Sequence, residues 1–204
     1  MRLQTDFTGP ALCARPARDV VAALRRDELD PADLIDAAET RMAQTGPQIN
    51  ATVTPCPDYA RNALADLATR AATTGTHPGW LAGLPVGIKD LNAVKGVRTT
   101  WGNTAYRDFI PEASDKLVEM LESRGALVMG KTNTPEMGAG GNSTNEVFGS
   151  TRNPWNTAMN AGGSSGGSAA CPAPSRWRAS FSSASRSATS SIVSACIRTS
   201  RATA

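Results

Sequence analysis

The sequence predicts an α/β fold in which helices are layered on a sheet. Three observations carry this. A helical pattern over 114–125 runs through a short turn into an apolar strand over 126–131. A second compact apolar run, 84–88, is bounded by glycine and proline and reads as a buried strand. The residues ahead of it read as three helices with a short strand candidate between the second and third.

Taken in order, Val20, Val21 and Leu24 recur at helical spacing, with Arg25 and Arg26 near the end, where cations favour the helix dipole. Asp30-Pro31 reads as an N-cap followed by proline at the first helical position. Leu34, Ile35, Ala38 and Met42 make the apolar face of that second helix, and Gly46-Pro47 is expected to end it. Residues 50–54 are a short strand candidate. From Pro57 or Asp58 a third helix carries Tyr59, Leu64, Leu67 and Ala71 to a break at Gly75. The strand over 84–88 ends in Lys89-Asp90, and 99–103 follows as a loop. In the next helix Leu117, Val118 and Leu121 keep the helical period, and Gly125 suits its C-terminal cap. From Lys131 a long polar, glycine-rich stretch passes the turn Asn153-Pro154-Trp155-Asn156 and reaches 161–170.

Composition excludes several classes. No run of eighteen apolar residues exists, so no membrane partner is expected. The first residues lack the apolar core of a secretory signal. Cys13, Cys56, Cys171 and Cys196 are scattered and His77 is the single histidine, which argues against a zinc site and for a reduced, cytoplasmic protein. No metal or cofactor is called for. All 18 acidic residues lie in 1–170, whereas 171–204 holds five arginines and no acid. The basic charge therefore belongs to the tail, and nucleic acid is not an expected partner.

The segment Gly162-Gly163-Ser164-Ser165-Gly166-Gly167-Ser168 cannot fill a core; its glycines allow close approach and its serines bring three hydroxyls together. A flexible linker has such composition, but no second domain follows and an aromatic turn precedes. A phosphate-binding loop would need a Gly-Lys-Ser/Thr ending, which is missing. Lys89, at the end of a buried run, is either a lysine that reaches solvent or an acid, or a desolvated amine able to act as a base. Spacing alone does not choose.

The order of four motifs resembles the amidase signature family of serine hydrolases: Gly83-Leu84-Pro85-Val86-Gly87-Ile88-Lys89-Asp90, then Gly125-Ala126-Leu127-Val128-Met129-Gly130-Lys131-Thr132-Asn133, then Asn153-Pro154-Trp155-Asn156, and last the Gly/Ser segment. The resemblance covers roughly residues 10 to 170. It implies a mixed β-sheet covered by helices, truncated here, and a small-molecule carboxamide as substrate, hydrolysed to a carboxylate and an amine or ammonia. It makes Lys89 the catalytic lysine and Ser164 the bridging serine after a cis peptide bond at Gly163-Ser164, with Gly163 and Ser165 supporting the loop. The family's nucleophile lies 24 residues beyond the bridging serine, where this sequence has Ala188; no Asp or Gly occurs from Cys171 onwards. Residues 1–170 thus read as the N-terminal portion of the domain. Residues 171–204 read as a Ser/Ala/Arg-rich tail from a shifted reading frame, disordered and without a nucleophile, and the chain is expected to be inactive. Two alternatives remain. One is the amidase subunit of a tRNA-dependent amidotransferase, ranked lower because Thr134-Pro135-Glu136-Met137-Gly138 replaces a Met-Asp-Glu-Phe-like segment. The other is a non-catalytic binding protein that uses the basic tail.

Overall fold

A computed structural model of the chain describes residues 10–171 and 193–195. α1 (Ala17–Leu24) buries Val20, Ala23 and Leu24. α2 (Pro31–Ile49) starts at Asp30, whose carboxylate accepts the Ala32 N–H at 2.8 Å and so satisfies one of the helix's free donors. It does not stop at Gly46-Pro47. Pro47 removes one donor near the helix end, yet the Asn50 N–H still reaches the Gly46 carbonyl at 2.9 Å. Asn50 then ends the helix in a left-handed conformation, φ 54°, its side-chain amide donating to the Phe148 carbonyl at 2.8 Å.

β1 (Thr52–Pro55) follows, shifted towards the C-terminus from the expected strand. The single helix expected from Pro57 to Gly75 is two, α3 (Pro57–Ala65) and α4 (Leu67–Thr74), because Asp66 at φ −92°, ψ 1° leaves helical geometry. β2 (Pro85–Lys89) is buried along its whole length. α5 (Lys116–Ser123) turns into β3 (Leu127–Thr132) through Gly125, at φ 80° with the Trp80 ring against it. A Cβ at Gly125 would meet that ring at 2.7 Å, so both conformation and space favour glycine.

The sheet is mixed. Its order is β1-β3-β2 followed by a last strand, β8 (Val193–Ala195), with β1 antiparallel and β2 parallel to β3. A parallel pair needs a long crossover, and residues 90–126, with α5 in them, supply it. One apolar cluster joins Val86, Ile88 and Val128 of the sheet to Val20, Leu24, Leu34, Trp80 and Val118. A second joins Leu127 and Met129 to Ile35, Ala38 and Ala60. The polar stretch after β3 folds into two small hairpins not foreseen from the sequence, β4 (Thr144–Asn145) with β5 (Gly149–Ser150) and β6 (Arg152–Asn153) with β7 (Asn156–Asn160). The Asn153-Pro154-Trp155-Asn156 turn links the last two strands. α6 (Gly166–Ala170) closes the segment.

β8 (Val193–Ala195) pairs antiparallel with β2 at the open side of the sheet. These three residues and Cys171 are the described part of the tail expected to be disordered. The remainder of that expectation, and position 188 with it, falls outside the described residues.

Candidate active site

A bulge sets the site's geometry. Pairing between the parallel strands steps from Val86–Val128 to Gly87–Gly130, which leaves Met129 as an extra residue in β3. Beyond it Ile88 pairs with Lys131 and Lys89 with Thr132. Paired residues share a face and successive ones alternate. Lys89 and Thr132 therefore share one face, with Ile88 and Lys131 on the other.

Lys89 is 4% exposed. Its Nζ donates to Ser164 Oγ at 2.8 Å and to Ser165 Oγ at 3.0 Å. Burial, which penalises the charged form, holds this amine below the ordinary lysine range. The lysine thus does not reach solvent, and among the described residues no carboxylate is one of its hydrogen-bond partners. The Gly163–Ser164 peptide is cis.

The Gly/Ser segment is held from three sides. Gly162 receives the Ser143 N–H on its carbonyl at 2.8 Å. The Ser164 carbonyl lies 3.4 Å from Thr134 Oγ1 and 3.5 Å from Ser143 Oγ, both of which donate to it. Ser143 Oγ also accepts the Gly166 N–H at 2.8 Å. α6 then lies directly on the end of β3. Gly167 donates to the Asn133 carbonyl at 3.3 Å, and a Cβ on it would overlap Asn133 N and come 2.6 Å from Asn133 O. Ser168 and Thr132 share a hydrogen bond of 2.7 Å. Asn145 ties the floor together, donating to Asn133 Oδ1 and the Thr134 carbonyl, each at 2.7 Å.

On the opposite face Lys131 and Asp90, both fully buried, form an ion pair at 3.0 Å. Lys131 Nζ also donates to Thr99 Oγ1 at 2.7 Å, and Asp90 accepts from Thr100 Oγ1 at 2.6 Å. Desolvation pulls the Lys131 amine down, and the Asp90 carboxylate opposes it.

Of the residues singled out in the sequence, Lys89, Gly163, Ser164 and Ser165 come together at one point, while Ala188 lies outside the described residues. Ser165 contacts the Lys89 amine directly, which its expected loop-supporting part did not include. Thr132, Thr134, Ser143, Ser168 and the Asp90–Lys131 pair were not anticipated. Lys131 carried the same signal as Lys89, a lysine directly after a short run of apolar residues and glycine. A buried amine against a hydroxyl can move a proton to and from that hydroxyl when the amine is uncharged. Among the described residues no cluster of histidine, cysteine and acidic side chains is able to hold a metal ion, and no helix is long and apolar enough to cross a membrane.

Residues 33–176 match the family model described as Amidase. A glutamyl-tRNA(Gln) amidotransferase subunit from Dehalococcoides mccartyi is 41% identical over 152 residues, 74% of this chain and 31% of that protein. Its namesake from a Synechococcus species is 41% identical over 160 residues, 78% of this chain and 32% of that one. Among solved structures, a bacterial aryl acylamidase belonging to the amidase signature enzymes superposes with a TM-score of 0.70 at 32% identity, over 79% of this chain and 34% of that one. 6-Aminohexanoate cyclic dimer hydrolase gives 0.68 at 29% identity, over 79% and 32%. The chain spans about a third of the length of the relatives it matches. With most of its length matched and the mixed helix-covered sheet shared, the chain belongs to the amidase signature family.

Proposed function

We propose that this chain is the N-terminal part of an amide-hydrolysing domain in which Lys89 and Ser164 form a proton relay. The observation that carries the reading is the buried Lys89 amine, 2.8 Å from Ser164 Oγ and 3.0 Å from Ser165 Oγ, with no carboxylate bonded to it among the described residues. In the relay the uncharged amine takes the Ser164 proton as Ser164 takes the proton of a nucleophilic serine. That serine's oxygen bonds to the amide carbonyl carbon. The C–N bond then breaks, and the departing amine receives the proton back through Ser164. Water attacks the acyl-serine by the same relay, releasing a carboxylate and restoring the serine. Gly163 and Ser165 keep the loop against the amine.

The nucleophile belongs at the position of Ala188, so the chain as it stands is expected to hold the relay and lack the group it serves. Loss of a serine nucleophile costs on the order of 10⁶ in kcat. The abrupt change at Cys171 to a stretch without acid or glycine supports a shifted reading frame over 171–204. Sequencing the gene across these codons tests that directly. The wide scatter of the four cysteines along the sequence supports a cytoplasmic enzyme.

The functional test compares three proteins on aryl and short aliphatic amides: the 204-residue chain, its Lys89→Ala variant, and a full-length form restored in frame. Turnover is expected in the restored form alone. Robust turnover by the short chain that disappears in Lys89→Ala overturns the placement of the nucleophile.

A second reading, the amidase component of a tRNA-dependent amidotransferase, is favoured by the 41% identity to amidotransferase subunits. The Thr134-Pro135-Glu136-Met137-Gly138 segment weighs against it. A restored chain that works only with glutamyl-tRNA and partner proteins would establish this alternative.

A further inference from the structure

Two lysines leave the ends of adjacent strands, neither reaches solvent, and their partners differ in kind. Lys89 meets two hydroxyls, Ser164 and Ser165. Lys131 meets a carboxylate, Asp90, and one hydroxyl, Thr99. Asp90 directly follows Lys89 in the chain and is fully buried. Alternation along the strand turns it to the opposite face, the face the β3 bulge gives to Lys131. There its oxygens are occupied by Lys131 Nζ at 3.0 Å and by the Thr100 N–H and hydroxyl at 3.2 and 2.6 Å.

We infer that Lys131 is a positioning residue for the relay: by holding and neutralising the Asp90 carboxylate on the far face of β2, it leaves Lys89 with hydroxyl partners alone. The inference rests on the relay reading of Lys89. An uncompensated carboxylate one residue away favours the ammonium form of an amine, and an ammonium cannot take a proton. With Lys131 in place the two charges form a close pair whose field at Lys89 largely cancels. The other titratable groups acting on Lys131 are Cys56 and Asp115. Burial pushes the Cys56 thiol up to about 12, so it is uncharged. Asp115 is engaged by Asn92 Nδ2 at 3.0 Å and the Ala93 N–H at 3.1 Å.

The sequence has four lysines, Lys89, Lys95, Lys116 and Lys131, so the 13Cε signals of the lysine-labelled full chain can be followed individually through a pH titration. Loss of a signal in Lys89→Met assigns Lys89. In Lys131→Met the Asp90 carboxylate loses its counter-ion while the two Thr100 hydrogen bonds remain, and the Lys89 midpoint is expected to rise by about one pH unit. In Asp90→Asn/Lys131→Met, which removes both charges, the midpoint is expected to return to its starting value. Lys131→Gln, neutral yet still a donor, gives the same reading if the methionine variant does not fold. A midpoint unmoved in the single variants, or a rise that persists in the double variant, overturns the inference. A wild-type Lys89 that titrates at the ordinary lysine value instead overturns the relay reading itself, so the two failures are distinguishable.

Discussion

Replacing Gly167 with alanine tests whether α6, and with it the loop carrying Ser164, is seated on β3 by backbone contact. The added Cβ would overlap Asn133 N, 2.6 Å from Asn133 O and 2.9 Å from the Ala51 carbonyl. All three are backbone atoms, so no side-chain rotation relieves the clash. Overpacking of this kind costs about 1–3 kcal/mol. Two hydrogen bonds meet at the same point, Asn133 N–H to Ala51 O at 2.9 Å and Gly167 N–H to Asn133 O at 3.3 Å, and their loss adds about 1 kcal/mol each. Alanine's better helix propensity returns about 1 kcal/mol. The balance is a destabilisation of about 2–4 kcal/mol, or roughly 8 °C in Tm for a domain of this size. Urea and thermal unfolding by circular dichroism measure it, with Gly141→Ala as the control. Nothing lies within 4 Å of a Cβ at Gly141, so that change stays within about 0.5 kcal/mol. A Gly167→Ala chain within about 1 kcal/mol of its parent would refute the reasoning, because α6 would then be free to lift off β3.

Lys89→Met tests the buried amine through pH. Folding lowers the Lys89 pKa, so between that lowered value and ~10.4 the unfolded chain binds the extra proton, and the parent's stability rises with pH. The stability of Lys89→Met relative to the parent should therefore be greatest at neutral pH and decline as pH approaches ~10, read from urea midpoints; a flat difference would show an amine that burial does not perturb. Asp30→Ala removes the acceptor of the Ala32 N–H and should cost about 1 kcal/mol in thermal unfolding.

Much of the fold was legible because short-range chemistry specifies it. Asp30-Pro31 marks the start of α2, since a side-chain acceptor and a residue without an N–H both suit a helix's first turn. Strands β2 and β3 announce themselves as apolar runs, and Gly125 marks the end of α5 by supplying a positive φ. The misread boundaries share a cause. α2 continues past Pro47 because Asn50 finds acceptors in Phe148 and Ser150, about a hundred residues away. The two hairpins of 144–160 pair too few residues to leave an alternating pattern.

By itself the sequence determined the α/β class, the buried strand that ends in Lys89, and the motif order that brings Lys89 and Ser164 into one family pattern. Only the tertiary structure decided the strand order, the bulge at Met129, and which of two similar lysines meets hydroxyls and which meets a carboxylate. Helix caps and strand runs depend on partners within about four residues. The nature of each buried amine instead depends on a partner 75 residues away for Lys89 and 41 away for Lys131. Those partners are chosen by the register of two packed strands, which no local pattern carries.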